Sequence, residues 1–243
     1  MDYGLWTMDY TPLYSSLLKS AESPNFNAFR TMDSVLIKGI TLGLLLSIAV
    51  GPVLFSIIKQ SINNGWKGGL AFVLGVSLSD ASLAVASNFF TELFAGIIER
   101  RELIGVVGST FLISVGIYFL FFKKVKVNEQ GSQILKFRKR DYLKLTLTGF
   151  FMNILNPGII IFWLTASTAV ANHVLGQRLL MFGIALLLVL TTDILKVLLA
   201  NRIRQRLTLK NIQFVNRLNG IILIGFGIVL LWGLIFYSDK LPQ

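Results

Sequence analysis

Apolar residues dominate the chain in six long runs, at 34–58, 68–90, 103–122, 145–171, 179–200 and 218–237, and polar residues collect between them. A helix needs about 20 mostly apolar residues to cross a bilayer. Each run meets or approaches that length, which predicts an all-α polytopic membrane protein with six transmembrane helices. A shorter apolar stretch at 93–98 reads as an interfacial extension of the second run. The first 33 residues are mixed, polar and aromatic. They lack the basic start and apolar stretch of a signal peptide and are expected to form a mobile or interfacial leader, with Met32 an alternative start.

The interruptions inside the runs are more informative than the runs. Gly51-Pro52 lies within the first and Asn156-Pro157 within the fourth. Proline lacks an N–H and clashes with the preceding turn, so each pair predicts a broken helix. Asp80 and Asp193 are the acidic residues deep in apolar runs, each in the run that follows a broken one. The pattern therefore repeats: a broken helix, then a helix with a buried carboxylate, then a third helix. Three spans per half make the halves run in opposite senses, the layout of inverted repeats whose discontinuous helices meet at a midplane site. The expected organisation is a first three-helix repeat at 34–122, a basic cytoplasmic loop at 123–144 and a second repeat at 145–238.

Composition narrows the class. Mean hydropathy is +0.69 and only 14% of residues are charged, too few for a soluble domain of this size. The absence of cysteine excludes disulfides, thiolate metal sites and thiol redox chemistry. The single histidine, His173, reads as an interfacial or loop residue. No cofactor is expected. The net charge of +11 would suggest nucleic acid in a soluble protein. Here most Lys and Arg fall in the connections after the first, third and fifth runs, including Lys59 and Lys67. The positive-inside bias puts these in the cytoplasm and both termini outside, in a bacterial-type inner membrane. Contact with anionic lipid accounts for the basic loop, so no nucleic-acid partner is expected.

Each candidate residue has a plainer reading beside the functional one. Either proline alone could be a simple kink, because neighbouring helices re-satisfy the freed carbonyls; their symmetric placement favours a shared site and similar roles. A carboxylate at a helix centre costs about 2.5–3.5 kcal/mol on insertion scales, and Asp80 has no local cation. Asp193 has Lys196 three positions on, on the same helical face, so an intrahelical ion pair explains it equally well. Asn153 and Asn156 share a face of the fourth run and serve as interhelical glue or as substrate contacts. Small residues at four-residue spacing, Gly39 with Gly43 and Gly75 with Ser79, mark packing faces. Trp66, Trp232 and Tyr237 read as interface anchors.

Two stretches carry a resemblance. Residues 44–81, "LLLSIAVGPVLFSIIKQSINNGWKGGLAFVLGVSLSDA", resemble the N-terminal signature of the LysE/RhtB family of amino-acid exporters. "FFMNILNPGIIIFWL" at 150–164 is similar to that family's second signature. The resemblance implies gradient-driven secondary export of amino acids or related solutes, with Gly51, Pro52, Asp80, Asn156 and Pro157 as motif residues. Val50 stands where many members have a first proline, and no acidic residue follows Asn156-Pro157 within its span. The substrate expected is a zwitterionic amino acid or derivative rather than lysine. The coupling ion is open, and a homodimer is suggested by the family and the small-residue faces. The substrate-binding or gating set is therefore Gly51, Pro52, Asp80, Asn153, Asn156, Pro157, Asp193 and Lys196. Three alternatives stand beside it. A cation or metal exporter would lack soft ligands, a membrane enzyme would lack a nucleophile–base pair, and a scaffold would leave the paired breaks unexplained.

Overall fold

A computed structural model describes residues 24–89, 101–122, 138–204 and 206–237. Its elements are α1 (Pro24–Ile48), α2 (Pro52–Phe89), α3 (Arg101–Ile117) continued by a π-helical run (Tyr118–Phe122), α4 (Lys139–Ile154), α5 (Pro157–Ala169), α6 (Leu175–Arg204) and α7 (Leu209–Tyr237). No strand occurs among the described residues.

Both expected breaks are present. α1 stops at Ile48 and α2 starts with Pro52 as its first helical residue, where a missing N–H costs nothing. α4 stops at Ile154 and α5 starts at Pro157, bent by 63° from α4. Three predicted boundaries are corrected. The helix expected from 34 begins at Pro24, so residues 24–33 of the supposed leader are helical. The basic loop expected to end at 144 gives way to α4 at Lys139, where Asp141 accepts the Arg138 backbone N–H at 2.9 Å and caps the helix. The connection expected around 59–67 is helical. α2 runs on from the first break and turns only at Gly65, whose φ of 69° a glycine adopts without a Cβ clash. The 93–98 extension lies outside the described residues, as do the start of the leader and most of the basic loop.

Among the described residues, α2, α6 and 210–236 of α7 are long and apolar enough to cross a membrane, and the bent pair α4–α5 makes a fourth candidate span. Gly105–Phe121 is apolar but shorter. The helices pack in close pairs. On α1, Gly39 and Gly43 lie against Met181 and Ala185 of α6. Gly75 of α2 faces the Thr146 carbonyl of α4, and Gly149 of α4 faces the Phe72 carbonyl of α2. Gly116 of α3 and Gly220 of α7 face one another's backbone. These contacts leave no room for a larger side chain, so the small-residue faces of the sequence are used within the chain.

Each close pair joins one helix from before the central loop with one from after it. Two larger apolar clusters result, besides a small one of Ile62, Ala200 and Ile212. One centres on Trp163, Met181, Phe182 and Leu83; the other on Phe72, Val73, Leu112, Met152 and Leu223. Outward faces carry Leu45, Leu74, Leu78, Leu187, Leu199, Ile221 and Ile228. Large apolar side chains thus cover the outside, while buried polar groups such as Asp80, Asn153 and Asp193 sit beside the apolar clusters.

Candidate functional site

The two helix breaks open onto one cavity of about 320 Å³, within the range of small-ligand sites. It lies where the two larger apolar clusters meet, with Leu46 and Val189 from one and Ile57 and Val76 from the other. Gly51 and Pro52 line it from the first break and Asn156 from the second. Asp80, Asn153, Asp193 and Lys196 complete its polar lining. Seven of the eight residues singled out in the sequence thus converge on one space. Pro157 is not on its wall, although its neighbours Asn156 and Gly158 are.

Asp80 is 2% exposed. Its Oδ1 accepts from Asn153 Nδ2 at 2.9 Å and from Trp163 Nε1 at 3.1 Å. Both donors come from the broken pair α4–α5, so the first half's carboxylate is held by the second half. The Asn153 amide also reaches Ser79 Oγ at 3.2 Å. These neutral donors supply the partners a buried carboxyl group requires.

Asp193 is held differently. Lys196 Nζ donates to its Oδ1 at 2.8 Å, one turn along α6, as the spacing predicted. The same ammonium also donates to the Ser47 carbonyl at 3.0 Å. Ser47 lies in the last turn of α1, where backbone carbonyls lose their intrahelical partners. Thr192 Oγ1 and Ser47 Oγ join the same helices at 3.0 Å. The local ion pair is therefore also a link from α6 to the first break.

The second break is capped from within. Asn156 Oδ1 accepts from the Gly158 N–H at 3.1 Å, the N-cap bond of α5. This role takes up one oxygen of a residue expected to face substrate. His173 lies in the α5–α6 connection as expected, 3.2 Å from Lys38 Nζ. No group of three or more potential metal ligands exists among the described residues.

The sequence missed three features. Trp163, 0% exposed, was one more aromatic in an apolar run. Ser47 acts through its backbone carbonyl, which no side-chain type marks. Lys59, assigned to a cytoplasmic connection, is instead a buried helical residue with its ammonium over the Phe119 ring. Below it Asn63 and Asn216 exchange side-chain hydrogen bonds, and Asn64 donates to Gln60 at 2.7 Å.

Comparison with known proteins adds a family. The model described as LysE type translocator matches residues 44–233. Among curated proteins, a Bacillus subtilis (strain 168) protein described as "Putative amino acid efflux protein YcgF" is 26% identical over 210 residues, covering 80% of this chain and 93% of its own. An "Uncharacterized membrane protein" of Haemophilus influenzae is 20% identical over 186 residues, covering 75% and 89%. No solved structure matches.

Proposed function

Because the chain belongs to the LysE type translocator family, and is a transporter on that ground, we propose that it exports a zwitterionic amino acid or close derivative from the cytoplasm by alternating access. The observation that carries this reading is the single cavity at which both helix breaks, both deep carboxylates and a lysine converge. Val53 and Leu54, in the first turn of α2, line it; a helix N-terminus there offers backbone N–H groups and partial positive charge to a substrate carboxylate. Asp80 and Asp193 offer negative charge to an ammonium. The apolar remainder, including Ile159, Phe162 and Phe226, suits a side chain of modest size.

The same proposal includes six spans arranged as two inverted three-helix repeats. In it α1 with the start of α2 corresponds to α4 with α5, and α6 and α7 to the rest of α2 and to α3. The pairing of α1 with α6, α2 with α4 and α3 with α7 supports that correspondence, since a pseudo-two-fold exchanges the first two pairs and maps the third onto itself. Movement of one repeat against the other then exposes the cavity alternately to each side. The location is an inner membrane with both termini outside. A cysteine placed at Gly131 should resist an impermeant thiol reagent in intact cells, and one at Gln243 should react.

The export reading is tested by intracellular retention. Cells lacking the gene and cells overexpressing it are loaded with each amino acid and followed for efflux. Overexpression should accelerate loss of at least one zwitterionic amino acid and deletion should slow it. Unchanged efflux of every amino acid in both strains would refute the proposal.

A further inference from the structure

The Lys196 ammonium does more than neutralise Asp193. An i,i+3 ion pair needs only its own helix, yet this ammonium also takes a backbone carbonyl of α1 at 3.0 Å. A carboxylate oxygen and a carbonyl at the C-terminal end of a half-helix are the ligand types with which discontinuous transporter helices hold a coupling cation. The hydroxyls of Ser47 and Thr192, bonded to each other at 3.0 Å, tie the same two helices together. A charged amine on a tether occupies the position that a free monovalent ion would take.

We propose that Asp193 and the Ser47 carbonyl form a monovalent-cation site whose occupant is the Lys196 ammonium, and that this amine carries the coupling proton. An amine gives up its proton, whereas a free sodium ion must be bound and released. The Lys196 side chain is 23% exposed and lines the cavity. The charged groups lining the cavity are Asp193 on the same helix and Asp80 from α2; α1, α5 and α7 present only uncharged residues to it.

The step builds on the export proposal. With the cavity open to the cytoplasm, the substrate ammonium takes the Asp193 and Ser47 oxygens, and Lys196 Nζ releases one proton to cytoplasmic water. With the cavity open outside, substrate leaves and the neutral amine takes one proton from external water. The returning protein carries that proton inward. Each cycle exports one zwitterion and imports one proton, moving one positive charge inward.

The test uses purified full-length protein and three forms of position 196. In the wild type, sodium replacing choline should leave the melting temperature unchanged, because the tethered amine fills the site. Lys196→Ala should make sodium stabilising, and adding Asp193→Asn should abolish that response. Lys196→Arg retains a cation that does not deprotonate and should show no sodium response. In proteoliposomes with a trapped pH dye, a radiolabelled mixture of the protein amino acids should enter an acidic lumen of wild-type vesicles and alkalinise it. Lys196→Arg vesicles should show no alkalinisation. A sodium-insensitive but folded Lys196→Ala protein overturns the cation site. Substrate-linked alkalinisation by Lys196→Arg overturns the proton role. Absence of amino-acid uptake by wild-type vesicles refutes the export proposal instead, and leaves the sodium experiment as the measure of the site.

Discussion

The two helix breaks are alike in sequence and unlike in how they are held. At the second, Asn156 caps α5 with its own side chain. The break is closed by its own residues. At the first, Ala49, Val50 and Gly51 are non-helical and none has a side chain able to cap α2. The carbonyl of Ser47 is instead held from α6 by Lys196. The carboxylates differ in the same way: Asp80 is braced by neutral donors from the other half, Asp193 by a cation on its own helix. A break with an internal cap draws that support from its own residues. A break whose partner is an ionised side chain on another helix changes when that side chain changes charge or partner. The first break is therefore the one whose support depends on a charged side chain of another helix.

Substitution at Asp80 has the largest expected effect. Asp80→Asn retains an acceptor for Trp163 and should insert and fold, yet lose most amino-acid transport per molecule. Asp80→Ala also leaves the Trp163 N–H buried without its acceptor and should destabilise by about 1–3 kcal/mol. Melting temperature and uptake measured on both would separate the roles. Full transport by Asp80→Asn would reduce the carboxylate to packing.

The prolines come next. Their sequence symmetry suggested similar roles, but only Pro52 lies on the cavity wall. Restoring alanine favours a continuous helix at either site by about 3 kcal/mol in propensity. Pro52→Ala should therefore cost transport heavily with little loss of thermal stability, while Pro157→Ala, backed by the Asn156 cap, should cost less. Equal losses in uptake per folded molecule would break the comparison between the two ends.

Removing the cap should show the converse. Asn156→Ala is expected to lower stability by about 0.5–2 kcal/mol, with a smaller fractional loss of transport than Pro52→Ala. The smallest effect on transport belongs to Trp163→Phe, whose ring is off the cavity wall; it loses buried ring volume and one hydrogen bond and should lower stability by about 1–3 kcal/mol. A thermal melt series resolves both.

Much of the site was legible because broken helices and buried carboxylates are costly in an apolar run, and costly residues are few. Pro52, Asp80 and Asp193 stand out by type alone, and their repetition in order suggested a common space. What hydropathy could not show was polar surface buried against polar surface. Residues 59–64 look like a loop because Lys59, Gln60, Asn63 and Asn64 are hydrophilic, yet they continue α2 with Asn63 bonded to Asn216 and Lys59 over Phe119. Nor does a proline announce where its helix resumes, so the run after Pro52 reached Gly65 rather than ending near 58. The Ser47 carbonyl is further still from view, since every residue but its environment has the same group.

The bond from Trp163 to Asp80 also gives the protein an optical handle. The chain has four tryptophans; Trp66 and Trp232 are 46% and 59% exposed, whereas Trp163 is 0% exposed. An indole enclosed by apolar side chains emits at shorter wavelength than one in water. Because its N–H is bonded to Asp80, its emission shifts when that carboxyl group changes charge or partner. With Trp6, Trp66 and Trp232 replaced by phenylalanine, the remaining tryptophan should report on Asp80 and the cavity beside it through its own fluorescence, with no attached dye.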